Sequence, residues 1–134
     1  MKKHILVMDG SKAMRFLLQT VLGKDYQVVT VPDGYSAMYY LSHRTQPDLI
    51  IADPQLPDMG NWELIQQLSS SGMYGDIPVV VLSGLDIKET ELKCMEFGVD
   101  YYFHKPFNPE KLMEVIGNFF MSEKLDKELL AVAN

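Results

Sequence analysis

Four polar or charged residues each stand at the end of a short apolar or aromatic run of the sequence: Asp9, Asp53, Ser83 and Lys105. A carboxylate can attack phosphorus as a nucleophile, and a pair of carboxylates can bind Mg²⁺ together with carbonyl and phosphate oxygens. A lysine supplies a compact positive charge, and a serine hydroxyl can donate to a phosphoryl oxygen. Side chains of these types could therefore transfer and hold a phosphoryl group, provided that the fold brings them together.

The spacing of apolar residues predicts five strands that alternate with five helices. The predicted strands cover residues 5–8, 27–31, 49–52, 78–82 and 101–103. The predicted helices run from the Ser11 cap to Gly23, from Asp33-Gly34 until before Pro47, over residues 61–68 and 88–97, and onward from Pro109. This alternation predicts an α/β protein with a parallel sheet, helices on both faces and right-handed crossovers. Open sheets of this kind bind ligands at the carboxyl ends of their strands, where all four polar residues would lie.

The composition is that of a single globular domain. The chain has 134 residues, of which 47% are hydrophobic and 22% charged, and its net charge is −6. This negative charge disfavours direct nucleic-acid binding, because gripping phosphate backbones requires a basic surface. The single cysteine, Cys94, excludes a disulfide within the chain and fits a reducing compartment. No apolar run has the length of a membrane span or the form of a signal peptide, so we expect a cytoplasmic protein that does not bind membranes.

Several short motifs occur along the chain in a definite order: Ile5-Leu6-Val7-Met8-Asp9, Asp33-Gly34, Pro47-Asp48-Leu49-Ile50-Ile51-Ala52-Asp53, Leu56-Pro57, Ser83-Gly84 and Lys105-Pro106-Phe107. Through these motifs the chain, from about Lys3 to Phe120, resembles a response-regulator receiver domain of bacterial two-component signalling. The resemblance implies a doubly wound, five-stranded flavodoxin-like fold with strand order 2-1-3-4-5. It also implies a signalling switch rather than an enzyme, in which Asp53 accepts a phosphoryl group from a histidine kinase.

The resemblance assigns roles at the remaining strand ends. Lys105, Ser83 and Gly84 would hold the phosphoryl group. Ser83 and Tyr102 would form the switch, because in the family the hydroxyl moves toward the phosphate while an aromatic three residues before the lysine turns inward. Lys105-Pro106 resembles the cis peptide that helps to aim the family's lysine.

The metal ligands expected from the same comparison are Asp9, Asp53 and the backbone carbonyl of Gln55. The family normally places two adjacent acids after the first strand, whereas this chain has Asp9-Gly10. Mg²⁺ sites can work with one or two carboxylates plus phosphate, so the missing acid predicts weak metal binding. The loop after Asp53 also departs from the family pattern, and Asn61 is expected to take the left-handed conformation that a glycine usually adopts there.

Two other functions compete with the phosphorylated switch. A pseudo-receiver would keep the fold as a protein-interaction module with weakened metal binding and phosphorylation. Gly10, which stands in place of the second acid, is the residue that suggests this alternative. A flavodoxin-like cofactor protein would share the topology, but it needs a Ser/Thr-rich phosphate loop after the first strand. Asp9 stands there instead and would repel phosphate.

The final helix changes character near residue 121, so we expect a receiver domain over residues 1–121 and a tail or helical extension over 122–134. A core-facing stripe is formed by Leu112, Val115, Ile116, Phe119 and Phe120. Beyond it, Leu125, Leu129 and Val132 form an offset second stripe. An extension of this kind would dock on a second copy of the chain or on an effector, beside the fourth and fifth helices.

Overall fold

A five-stranded parallel sheet forms the centre of the computed structural model, which describes residues 1–133. Its strands are β1 (His4–Met8), β2 (Gln27–Val31), β3 (Leu49–Ala52), β4 (Val79–Ser83) and β5 (Tyr101–His104). They lie in the order β2-β1-β3-β4-β5, and every neighbouring pair is parallel. The predicted fold class and strand order are therefore confirmed.

Five helices connect the strands: α1 (Lys12–Leu22), α2 (Gly34–His43), α3 (Glu63–Ser69), α4 (Ile87–Glu96) and α5 (Pro109–Ala133). Local side chains cap several of their N-termini. The Ser11 hydroxyl accepts a hydrogen bond from the Met14 amide at 3.2 Å, and the Asp33 carboxylate accepts one from the Ser36 amide at 2.7 Å. These caps satisfy amides at the start of each helix that have no partner within the helix.

Two hydrophobic cores lie on opposite faces of the sheet, because successive residues of a strand point to opposite sides. In β1, Leu6 and Met8 pack into the core covered by α2, α3 and α4. Ile5 and Val7 pack into the other core, which α1 and α5 cover. All four side chains are fully buried, which explains why this strand reads as an uninterrupted apolar run.

The helix α3 begins at Glu63, two residues later than the spacing predicts. The backbone before it is left-handed at Trp62, where φ is 67°, and not at Asn61, so that expectation is wrong. A bulky residue in this region carries a cost of about 1–2 kcal/mol. Trp62 is buried, and its packing offsets this cost.

The last helix, α5, runs without interruption over 25 residues, from Pro109 to Ala133, and so continues past the expected boundary at residue 121. Its buried residues are Leu112, Ile116 and Phe120, which seal the second core. From residue 121 to residue 132 the apolar side chains are exposed. Within residues 1–133, no helix combines the length and the apolar character that crossing a membrane requires.

Candidate functional site

Three of the predicted side chains meet at the carboxyl edge of the sheet. The Lys105 ammonium donates to Asp9 Oδ2 and to Asp53 Oδ2, each at 2.7 Å. Asp9 is buried, whereas the side chain of Asp53 is 13% exposed and the side chain of Lys105 is 19% exposed. The cluster therefore combines a buried acid with an acid and a lysine that an incoming group can reach.

The sheet fixes where these side chains start. The Asp53 amide donates to the Met8 carbonyl at 2.9 Å, and the Lys105 amide donates to the Ser83 carbonyl at 2.8 Å. Each acid also bonds its own loop through its second oxygen. Asp9 Oδ1 accepts from the Ser11 amide and Asp53 Oδ1 accepts from the Gln55 amide, both at 2.8 Å. Both carboxylates are thus held in position before any ligand arrives.

Burial by itself lowers the pKa of Lys105, because an ammonium loses solvation. The hydrogen bonds and charges of Asp53 and Asp9 act in the opposite direction and outweigh burial, so the pKa lies above the ordinary lysine value. Lys105 is therefore a fixed cation at neutral pH. A fixed positive charge at this place can stabilise the negative charge that a phosphoryl group would bring to Asp53.

Raising the pH beyond the ordinary lysine value of 10.5 should remove the stability that Lys105 contributes. The unfolded chain loses this proton first, so the free energy of unfolding falls as the pH rises through the folded pKa. Urea unfolding across this pH range should show a steeper loss for the wild type than for Lys105→Met. Burial raises the pKa of Tyr26 and Tyr40 in both proteins, so their effect cancels in the difference. Equal slopes would contradict the ion-pair role.

An open cavity of about 530 Å³ lies above the cluster. Its lining includes both acids and the lysine, and the other contributing residues are Gly10, Ser11, Gln55, Leu56, Pro57, Met59 and Asn61. Gln55 thus lines the cavity above the cluster. A Cβ added at Gly10 would lie 3.3 Å from Pro57 Cδ, so the proline packs close to the position where the family has its second acid.

Two carboxylates and nearby loop carbonyls are hard oxygen ligands, which suit Mg²⁺. Lys105 already bonds one oxygen of each carboxylate. In the part of the chain that the structure describes, no group of three or more His, Cys, Asp or Glu residues is arranged to hold a metal ion. A Mg²⁺ ion held by two carboxylates and one backbone carbonyl would have to keep several of its waters.

Ser83 lies outside the lining of the cavity above the acids. Ser83 is fully buried, and its hydroxyl shares a hydrogen bond of 2.9 Å with the Thr90 hydroxyl of α4. It also accepts from the Leu85 amide at 3.0 Å. No hydrogen bond within residues 1–133 joins the Ser83 hydroxyl to Asp53 or to the Lys105 ammonium. A phosphoryl-binding role for Ser83 would therefore involve a hydroxyl that already bonds Thr90.

The other two predicted residues lie on the surface near the same strands. Gly84 is exposed, and no atom lies within 4 Å of the position that a Cβ would occupy. Tyr102 is 38% exposed and makes an edge contact with the His104 ring, with centroids 5.9 Å apart. The peptide between Lys105 and Pro106 is cis, as the resemblance implies.

The loop after β3 is anchored by Asp58, an acid that does not belong to the cluster around Lys105. Asp58 accepts hydrogen bonds from the Gly34 and Tyr35 amides, both at 2.9 Å, and these bonds lower its pKa. Negative charge at a helix N-terminus is favourable, so Asp58 ties this loop to α2. Asp58 thus has a structural role.

Two residues that the sequence did not single out connect the site to α4: Thr90 and Trp62. Thr90 is fully buried and bonds Ser83, while the Trp62 indole donates to Glu89 Oε2 at 3.0 Å. In the sequence Thr90 is one polar residue of a mixed-charge helix. Trp62 is the single tryptophan. The only feature of the sequence that could have drawn attention to Trp62 is a single tryptophan beside the predicted start of the third helix.

The sheet order and the cluster at its carboxyl edge define the class of this molecule: it has the CheY-like form of the flavodoxin fold. The chain belongs to the response regulator receiver domain family, whose model matches residues 5–117. Receiver domains of two-component systems accept phosphoryl groups from histidine kinases, generally bind Mg²⁺, and act as signalling switches rather than as classical enzymes.

Individual relatives agree with this assignment. The chain is 33% identical over 112 residues to a probable transcriptional regulator, ycf27, of Galdieria sulphuraria, and the match covers 83% of this chain and 42% of that protein. The chain thus spans less than half the length of that relative.

Solved structures show the same fold. The chemotaxis response regulator CheY4 of Vibrio cholerae superimposes with a TM-score of 0.78 at 25% identity, covering 88% of this chain and 98% of that one. The Mn²⁺-bound form of response regulator Rcp1 gives 0.73 at 28% identity, covering 85% and 88%.

Proposed function

We propose that this receiver domain is a phosphorylation-dependent switch and that Asp53 is its phosphoryl acceptor. The observation that carries the proposal is the Lys105 ammonium, which bonds both Asp9 and Asp53 at 2.7 Å on an edge of the sheet that solvent reaches. In the reaction, a carboxylate oxygen of Asp53 forms a bond to phosphorus while the bond from phosphorus to the kinase histidine nitrogen breaks. The histidine keeps the electron pair of that bond.

The residues around Asp53 would bind the metal and the phosphoryl group, and each has a separate role. Asp9, Asp53 and the Gln55 carbonyl would hold Mg²⁺, which neutralises phosphoryl charge when bound. Lys105 supplies a second positive charge, and it must release part of its contact with Asp53 as the carboxylate becomes an acyl phosphate. The Ser83 hydroxyl and the backbone at Gly84 would bind the new phosphoryl oxygens.

The switch itself would use the contact that holds Ser83. When the Ser83 hydroxyl turns toward the phosphoryl group, Thr90 of α4 loses its partner. A buried hydroxyl without a partner is costly, so α4 must adjust. Tyr102 is exposed on the neighbouring strand and would turn inward as that space changes.

A pseudo-receiver is the second candidate, and Gly10 favours it. Without a second acid beside Asp9, the metal site has two carboxylates, and both already bond Lys105. The two candidates differ in phosphoryl uptake. Intact mass after incubation with acetyl phosphate, with and without Mg²⁺, should show one added phosphoryl group that depends on Mg²⁺; an unchanged mass in both conditions would leave the pseudo-receiver.

We propose a histidine kinase as the phosphoryl donor and the cytoplasm as the location. The net charge of −6 disfavours nucleic acid as a partner, and so the proposed partners are proteins. Cys94 is buried and unpaired, which fits a reducing compartment.

We also propose that the part of α5 beyond residue 120 associates with a second copy of the chain. Met121, Leu125, Leu129 and Val132 fall within about 80° of the helix surface and are 50–85% exposed. This stripe lies roughly opposite the core-facing residues. Lys124 and Glu128 border one side of it, and neither forms an ion pair within the described chain, whereas Lys127 pairs with Glu123. In an antiparallel pair of α5 helices, Lys124 of each copy would face Glu128 of the other.

Truncation after Met121 should weaken self-association and leave folding and phosphoryl uptake unchanged, because neither core of the described chain extends beyond Phe120. Sedimentation velocity over a range of concentrations measures the association. The full-length double variant Leu125→Gln, Leu129→Gln should behave like the truncation, since it removes the stripe without shortening the helix. A wild-type chain that stays monomeric at high concentration, phosphorylated or not, would rule out the second copy.

A further inference from the structure

Trp62 is the last residue of the loop between β3 and α3, and it connects this loop to the helix α4. Its backbone amide donates to the Pro54 carbonyl at 2.8 Å, one residue after Asp53. Its indole Nε1 donates to Glu89 Oε2 of α4 at 3.0 Å. The residue is 3% exposed and its φ is 67°. A buried ring on a left-handed backbone has few alternative positions, so a shift at Pro54 is passed to the indole.

The N-terminal half of α4 is therefore held by two neighbouring residues. Thr90 bonds Ser83 at the end of β4, and Glu89 bonds Trp62 of the loop that follows β3. Both anchors belong to segments that carry proposed phosphoryl-binding groups. The first contact is the one that would break when the Ser83 hydroxyl turns from Thr90 toward a phosphoryl group on Asp53. The second contact, between Trp62 and Glu89, then opposes a movement of α4.

We propose that Trp62 is a positioning residue, and that its hydrogen bond to Glu89 holds α4 in the arrangement in which Ser83 bonds Thr90. This inference rests on the proposed phosphorylation of Asp53. A contact present in one arrangement and lost in the other shifts the equilibrium between them. By linkage, the Trp62–Glu89 bond must then weaken the binding of a phosphoryl group, and phosphorylation must weaken the bond.

The indole N–H gives a direct measurement, because the chain contains one tryptophan and hence one indole signal. In a ¹H–¹⁵N NMR spectrum, its hydrogen bond to a carboxylate should place the proton downfield. Beryllium fluoride with Mg²⁺, which mimics a phosphoryl group on an aspartate, should move the signal upfield. In Glu89→Leu the signal should already lie upfield and move much less.

Matched variants separate the hydrogen bond from other effects on α4. Glu89→Gln removes the charge but keeps an acceptor oxygen, so it should retain most of the wild-type shift. Glu91→Leu removes an exposed acid of the same helix that pairs with Lys88, and it should leave the shift unchanged. Glu89→Leu should bind beryllium fluoride about fivefold more tightly than the wild type, because the contact that opposes the change is gone.

The outcomes distinguish this inference from the proposed function. Beryllium fluoride can be followed independently by ¹⁹F NMR. If it binds the wild type but the indole signal stays in place, or if Glu89→Leu binds it no more tightly, the coupling through Trp62 is wrong while the acceptor assignment stands. If neither beryllium fluoride nor acetyl phosphate engages Asp53, the proposed function fails and the coupling fails with it.

Discussion

Asp53→Asn should lose phosphoryl uptake completely under conditions in which the wild-type chain gains one phosphoryl group from acetyl phosphate and Mg²⁺. The amide has nearly the shape of the carboxylate, and its oxygen can still accept from Lys105, so the fold should be retained. An amide oxygen is, however, a poor nucleophile, and no acyl phosphate forms from it. Intact-mass spectrometry measures the difference.

A matched acid at the other edge of the sheet provides the control. Asp76 is exposed and precedes β4, far along the strand from the cluster that Lys105 organises. Asp76→Asn should therefore gain phosphoryl groups as the wild type does. Circular dichroism confirms that both variants fold. Equal labelling of Asp53→Asn and the wild type would show that another residue is the acceptor.

Much of the fold could be predicted because parallel strands buried on both faces leave a plain signal. The runs before Asp9 and Asp53 contain only apolar residues, and strand β3 has the predicted bounds. The end of β4 was harder to place. Ser83 belongs to the strand, paired in register with His104, because the ladder continues through backbone hydrogen bonds that do not depend on side-chain type.

The lysine and the two acids could be expected to meet, since the carboxyl ends of parallel strands lie on one edge. The partner of Ser83 could not be predicted in the same way. Its contact with Thr90 depends on how α4 sits over the sheet, which is a matter of tertiary packing. The left-handed backbone at Trp62 was missed for a related reason: local preference favours asparagine in that region, whereas burial of the indole decides the outcome here.

Restoring the missing acid should strengthen metal binding. Gly10→Asp adds a third carboxylate beside Asp9 and Asp53, which supplies a further ligand and more negative potential. We expect the Mg²⁺ dissociation constant to fall about tenfold, since the added attraction is partly offset by repulsion among the acids. Without metal, the same repulsion should lower the free energy of unfolding, because three carboxylates then share the Lys105 cation.

Gly10→Asn is the matched control for this change, because its side chain makes the same demand on space without the charge. A Cβ at residue 10 would lie 3.3 Å from Pro57 Cδ, so the proline ring must shift by a few tenths of an ångström in both variants. Isothermal titration with Mg²⁺ should show a much larger gain for the aspartate than for the asparagine. Thermal unfolding with and without Mg²⁺ should show the largest metal-dependent stabilisation for Gly10→Asp. If all three proteins bind Mg²⁺ equally, the metal does not lie beside residue 10, and the proposed ligand set of Asp9, Asp53 and the Gln55 carbonyl is wrong.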